Sequence, residues 1–271
     1  MSAAVAPEPS APFGSWAGGA VTPHAYCLLQ GNPGPMTLDG TNTWVLLEPG
    51  GTEAIVIDPG EDEAAHQQRV VDHVAALGAR VSRIVLTHGH LDHSQGAPRL
   101  ADLTRAPVQA VGRGHDDLVD GDVLRAGSLE VRVVATPGHT SDSVSFALTA
   151  DHALLTGDTI LGRGTTVVAH PDGELAAYLD SLERIRGLTG DGEVTAILPG
   201  HGPTVPDAAA MVDFYRRHRR ERLEQVRAAL ADGAGDADAV VARVYADVDR
   251  SVWPAARMSV LAQMAHLEQV G

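Results

Sequence analysis

Lysine is missing from this chain: all twenty basic residues among its 271 positions are arginine. Alanine, glycine, valine and aspartate are abundant, so the absence reads as compositional bias of the genome. It does exclude a lysine grip on an anionic ligand and leaves that task to arginine. Cysteine occurs once, at Cys27. No internal disulfide can form, which fits a reducing compartment. No apolar run approaches the roughly twenty residues that a membrane span needs. The first twenty residues are rich in Ala, Pro, Ser and Gly and lack a basic start followed by an apolar stretch. We expect a disordered tail over 1–20, not a secretion signal, and a cytoplasmic protein. Negative charge dominates, with a net value of −15. That speaks against broad attraction to nucleic acid or anionic membrane but leaves room for a local basic site.

What the chain does have is concentrated in Thr87-His88-Gly89-His90-Leu91-Asp92-His93. Three imidazoles and a carboxylate follow the apolar run Ser82-Arg83-Ile84-Val85-Leu86, whose β-branched content predicts a buried strand. The cluster therefore falls where a strand ends and a helix begins. Imidazole and carboxylate suit zinc, and also iron or manganese. His88 and His90, two apart, point the same way from extended backbone, while Asp92 and His93 enter the helix and face a second position. The spacing offers ligands to two adjacent metals. A chance His-rich surface loop is the bland alternative, and H-x-H-x-D-H at a strand end is too specific for it.

Three further sites repeat one local design of apolar strand, Gly or Pro turn and candidate ligand. They are His139 in Thr136-Pro137-Gly138-His139, Asp158 in Leu155-Thr156-Gly157-Asp158, and His201 in Leu198-Pro199-Gly200-His201. Glycine there permits sharp turns and close approach at a crowded site. Singly each is an ordinary turn residue; their convergence is the signal.

Together these motifs resemble the metallo-β-lactamase superfamily. The resemblance implies an αβ/βα sandwich, two mixed sheets face to face with helices outside, where periodicity alone says only α/β. It also implies that His88, His90 and His139 hold one divalent ion, that Asp92, His93 and His201 hold a second, and that Asp158 bridges them. Two such ions, most readily zinc, share and stabilise a hydroxide that attacks a carbonyl carbon or a phosphorus. Asp92 would orient that nucleophile. The aspartate bridge resembles the glyoxalase II-like branch of thioesterases, lactonases and phosphodiesterases. Many true zinc β-lactamases instead place a cysteine on the second metal, and here the only cysteine lies far upstream. Asp158 and His201 stand 43 positions apart, too close to enclose the extra domain of the large RNA-processing members.

Finer motifs resemble the β-lactamase-like protein 2 group. They are Leu38-Asp39-Gly40-Thr41-Asn42-Thr43-Trp44, Gly162-Arg163-Gly164-Thr165-Thr166, and the H-R-x-x-R core of His218-Arg219-Arg220-Glu221-Arg222. Characterised members of that group cut single-stranded RNA using zinc. The resemblance makes Asn42, Thr165, Thr166, His218, Arg219 and Arg222 candidate substrate-binding residues. Bland readings stand beside them. Asn42 is also a turn former, and the threonines could simply cap a turn. On a helical wheel His218, Arg219 and Arg222 share the apolar side, where they could bind substrate phosphate or carboxylate, or make ion pairs with acidic residues of the sandwich. Arg216, Arg217 and Arg220 face away, as a solvated surface. His24, His66, His73, His115, His152 and His266 lack ligand context and read as surface or structural residues.

Strand-like runs fall near 25–30, 42–48, 54–58, 82–87, 107–111, 129–135, 143–148, 153–157 and 194–198, and helical patterns near 62–78, 93–103 and 172–188. From Pro206 onward the pattern is helical: about 207–231, a short helix from Asp236 to about Val248, and a third from Trp253-Pro254. The expected organisation is a tail over 1–20, a metallo-β-lactamase-like domain over 21–205, and a winged-helix-like helical appendage over 206–271. Relatives continue into a β-wing where this chain stops, which weighs against nucleic-acid binding through a wing.

The leading expectation is a dinuclear metal-dependent hydrolase acting on single-stranded RNA or another phosphodiester. A hydroxyacylglutathione-type thioesterase or a lactonase is the alternative, and the acidic charge keeps a small ester or thioester in play. A non-catalytic binding module fits least, because it has no reason to retain all seven ligands. No membrane and no obligate protein partner are expected.

Overall fold

Along the strand Glu53–Ile57, Ile55 and Ile57 point to one side and Ala54 and Val56 to the other, and all four are fully buried. A strand buried on both faces needs a layer on each, and that requirement builds the molecule. A computed structural model describes residues 15–270 except Arg113 and His115. Its strands are β1 (Gly19–Ala20), β2 (Ala25–Leu29), β3 (Asn42–Leu47), β4 (Glu53–Ile57), β5 (Arg80–Val85), β6 (Val108–Ala110), β7 (Asp116–Asp117), β8 (Val123–Ala126), β9 (Leu129–Ala135), β10 (Val144–Leu148), β11 (Ala153–Gly157) and β12 (Ala196–Pro199). Its α-helices are α1 (Ala64–Ala76), α2 (Leu91–Ser94), α3 (Ala97–Thr104), α4 (Leu175–Gly190), α5 (Ala208–Ala231), α6 (Ala237–Val244) and α7 (Trp253–Val270).

The strands form a seven-stranded sheet in the order β1-β2-β3-β4-β5-β6-β7 and a five-stranded sheet in the order β12-β11-β10-β9-β8. Both are mixed: β2, β3 and β4 pair antiparallel, β4 to β7 parallel, and β11 with β12 parallel. Trp44, Leu46, Ile55 and Ile57 of one sheet meet Val131, Val133, Phe146 and Leu155 of the other in a continuous core. Helices α1 and α3 cover the outer face of the first sheet through Val70, Val74 and Leu100. Helices α4 and α5 cover the second through Tyr178, Leu182, Val212 and Tyr215. This is the αβ/βα sandwich.

Three differences from the sequence reading have local causes. Residues 1–14 of the expected tail lie outside the described residues, but the rest of that segment is ordered: Gly19–Ala20 pairs with β2, and Trp16 packs on the core. The single helix expected over 93–103 is two, α2 and α3. They part at Gly96, whose N–H donates to Gly60 O at 2.7 Å and where a Cβ would collide with Gln67. The helix from Asp236 ends early, with Tyr245 as its C-cap.

Beyond Pro206 the described residues form helices and one 3-10 turn, and no strand. Helix α5 serves two cores: Val212 and Tyr215 pack on the sandwich, while Val226 packs with Val240, Val241 and Val260 of α6 and α7. Among the described residues, no helix is long and apolar enough to cross a membrane.

Candidate metal centre

Strand ends deliver the site. Asp58 follows β4, His88 and His90 follow β5, His139 follows β9, Asp158 follows β11 and His201 follows β12. The short helix α2 contributes Asp92 and His93. Two glycines hold these ends together at distances no side chain would allow. A Cβ at Gly157, where φ is +48°, would lie 2.4 Å from Thr87 Oγ1. One at Gly200 would lie 2.7 Å from both Asp158 Oδ1 and His93 Cε1.

All seven side chains expected as ligands come together. Among the described residues, three groups have ligand atoms close enough to hold an ion: His88, His90 and His139; Asp92, His93 and His201; and His88, His93 and Asp158. Asp158 lies between the first two, its Oδ1 3.4 Å from His93 Nε2 and 3.5 Å from His201 Nε2, its Oδ2 3.7 Å from His139 Nε2. Asp92 Oδ2 stands 3.2 Å from His201 Nε2.

Proton positions test whether a cation fits. His139 Nδ1 donates to Val167 O at 2.6 Å and His201 Nδ1 to Gly40 O at 3.1 Å, because a carbonyl can only accept. His93 Nδ1 donates to Asp58 Oδ2 at 2.9 Å. The Thr87 hydroxyl donates to the same carboxylate at 2.6 Å, so His88 Nδ1 donates to Thr87 Oγ1 at 3.0 Å. With Nδ1 engaged outward in this way, each of these four rings turns its Nε2 inward, the atom that can ligate a metal. His93 Nε2 and His201 Nε2 face each other at 3.1 Å, and His90 Nδ1 lies 3.1 Å from both His88 Nε2 and His139 Nε2. Nitrogens that close must share either a proton or a metal ion, because two bare lone pairs at that distance repel. Nitrogens on a tetrahedral zinc, at bonds of about 2.0–2.1 Å, stand about 3.3 Å apart. The donor set fits a metal.

The electrostatics show where positive charge is favoured in the cluster. Burial pushes the His88 imidazole well below its usual range, and His93 and His139 push it further. Burial likewise lowers His139. For His93, burial works downward but the Asp158 and Asp58 carboxylates outweigh it and hold the ring well above its usual range. Burial would raise Asp158 and Asp92, yet surrounding histidines outweigh it. His201 and His93 hold Asp158 well below the carboxylate range, and His201 and His93 pull Asp92 to about 2. Both carboxylates are anionic at neutral pH.

Beside this edge opens a cavity of about 360 Å³. His139 and Asp158 line one part; Thr165, Thr166, His218, Arg219 and Arg222 line another. Five of the six residues expected to contact substrate are therefore at the cavity. Asn42 is not, and that expectation is corrected. It is fully buried beneath the His201 loop, accepting from Trp16 Nε1 and Cys27 Sγ and donating to Pro199 O and Gly202 O at 2.9 Å. Its amide is committed on both sides, so it braces a turn.

The ion pairs weighed for the helix α5 cluster are not formed. Arg219 donates to Thr166 O and lies 4.9 Å over the Tyr178 ring. Arg222 donates to Gln225 Oε1 and Val244 O and lies over Tyr245. Among the described residues, neither pairs with a carboxylate. The outward set differs as well: Arg216 ties α5 to α4 through Glu183. His115 lies outside the described residues.

Sequence reasoning missed Asp58 and Thr87. Together they fix the rings of His93 and His88, the role such partners play at metal sites. The signal was there, since Ile57-Asp58-Pro59-Gly60 repeats the design of apolar strand, polar residue and turn.

Comparison with known proteins agrees with this geometry. The model of the metallo-beta-lactamase superfamily matches residues 36–115 and 109–201, and that of a beta-lactamase associated winged helix domain matches 237–271. An atrochrysone carboxyl ACP thioesterase of Aspergillus fumigatus is 33% identical over 93% of this chain and 84% of its own length. A beta-lactamase-like protein 2 homolog of Caenorhabditis elegans is 35% identical over 73% of this chain and 68% of its own. The fold matches a metallo-beta-lactamase family protein from Thermus thermophilus, with TM-score 0.78 and 22% identity over 93% of this chain and 95% of that one. By sequence match, fold and the placement of its histidines and aspartates, the chain belongs to the metallo-β-lactamase superfamily.

Proposed function

We propose that this hydrolase cleaves a small-molecule ester or thioester with two divalent ions, held by His88, His90 and His139 on one side and Asp92, His93 and His201 on the other, with Asp158 between. The ions, most readily zinc, supply Lewis acidity and bring water into nucleophilic range at neutral pH. The protein supplies the rest. Asp92 is the more exposed of the two ligand carboxylates, with 24% of its side chain open to solvent. Being anionic, it accepts an O–H from water and so orients it. Asp158 keeps its charge under burial because three histidines surround it. No side chain has to act as nucleophile. The Cys27 thiol is sealed in the core, pushed up by burial and tied to Asn42.

The observation that carries this reading is the inward convergence of imidazole nitrogens and carboxylates at the mouth of a cavity sized for a small ligand. The similarity to a thioesterase supports the substrate class. Single-stranded RNA is disfavoured by the net charge of −15 and by the cavity volume.

The test measures metal content and turnover together. Metal-replete protein should hold two ions per chain and hydrolyse thioesters or esters, lactones included, faster than a model phosphodiester or single-stranded RNA. Chelation should abolish turnover and zinc restore it. Stoichiometry below one ion, or RNA cleavage outpacing ester cleavage, would sink the reading.

A further inference from the structure

The cavity beside the metal edge has two unlike walls. Met36, Leu38 and Leu161 of the sandwich face Val248, Val252 and Ala255 of the helical appendage across an apolar space. Against this stand three guanidinium groups, of which Arg163 is balanced by Asp39 at 2.6 Å. Arg219 and Arg222 are not balanced by any carboxylate among the described residues. Arg219 is the more telling, being only 3% exposed. A buried cation normally has an anionic partner, because its desolvation is otherwise left uncompensated. Here it has a carbonyl, an aromatic face, and an Nε with no partner. Next to it, His218 Nδ1 is also buried without a partner, its ring kept neutral because burial pulls the pKa to about 4. Among the described residues, Asp158 is the only acid lining the cavity, and it belongs to the metal edge. A strongly acidic protein has thus kept one cavity cationic.

We infer that the cavity takes a substrate whose apolar body carries a second anionic group, carboxylate or phosphate, seated on Arg219 and Arg222 while the scissile carbonyl lies at the metal edge. The inference rests on the hydrolase reading for the carbonyl end but not for the anion end. A guanidinium fork accommodates carboxylate and phosphate alike. The helical appendage then has a defined role: α5 provides the cations, and the segment Tyr245–Ala256 provides the wall that confines the body.

Three thioesters of N-acetylcysteamine test this: with phenylbutanoate, with its para-carboxylate and with its para-phosphonate. Wild-type, zinc-loaded protein should show a KM about tenfold or more lower for at least one anionic thioester than for the neutral one, the size of one charge-assisted hydrogen bond. Whichever anion wins names the source. In Arg222→Met the ratio should collapse towards one, mainly through KM. Arg219→Met should act likewise, and because its site is buried, melting temperature and zinc content are read in parallel. Titration calorimetry with the free acids gives an arm that needs no turnover. If no thioester is cleaved but the dianionic acid still binds about tenfold more tightly than phenylbutanoate, the hydrolase reading falls and the anion seat stands. Equal KM and Kd for neutral and anionic probes would overturn the inference. So would a preference that survives in folded Arg222→Met, or a single-stranded RNA oligonucleotide that displaces the dianionic acid.

Discussion

Asp58 Oδ2 accepts the Nδ1 proton of His93 at 2.9 Å, with both side chains sealed from solvent. The same carboxylate accepts the amide and hydroxyl of Thr87, so one residue orients rings that face both halves of the metal centre. Asp58→Ala should lower metal affinity by about 10–100-fold, the usual effect of losing such a partner. Chelator competition measures it. Unchanged affinity would mean that backbone packing alone holds the rings.

Asn42 braces the His201 loop, so Asn42→Ala should act on stability before it acts on substrate. The change strands the Gly202 carbonyl and the indole N–H of Trp16, and leaves Pro199 O with the Trp44 indole alone. Unfolding free energy should fall by about 2–4 kcal/mol, while KM in zinc-saturated protein stays near wild type. A raised KM with an unchanged melting temperature would restore Asn42 as a substrate contact.

His66 gives a pH dependence separable from the metal. Arg69 Nη2 donates to its Nδ1 at 2.9 Å, its Nε2 donates to Thr43 Oγ1 at 2.8 Å, and the Thr43 hydroxyl donates to Asp58 O. Burial first, and Arg69 second, lower its pKa to about 4. The folded state therefore keeps the ring neutral at pH values where the unfolded chain binds a proton. The stability this group contributes is fully present above about pH 6.5 and is lost as pH falls towards 4. His66→Gln should flatten the difference by on the order of 1–3 kcal/mol over that window, read as the gap between the two proteins' unfolding curves. Parallel curves from pH 7 to 4 would remove His66 from the account.

How much of this was legible before folding depends on the range over which each cause acts. Strand ends followed by Gly or Pro turns announce themselves locally, because periodicity and turn chemistry act over a few residues. The sequence by itself therefore determined most of the larger elements, the strand-end placement of His88, His139, Asp158 and His201, and the apolar side of α5 that carries Arg219. It did not determine what those side chains meet. Asn42 looked like a cleft residue because its loop resembles one; only the pairing of Thr41 with His201, 160 positions away, puts it beneath the turn. The division of the 93–103 helix arises from Gln67 and Gly60 pressing on Gly96, contacts from another element. The state of the α5 arginines was likewise open until the fold closed. A helical wheel says which way a guanidinium points, but whether a carboxylate waits there depends on which strands and helices pack opposite, and that is a property of tertiary structure alone.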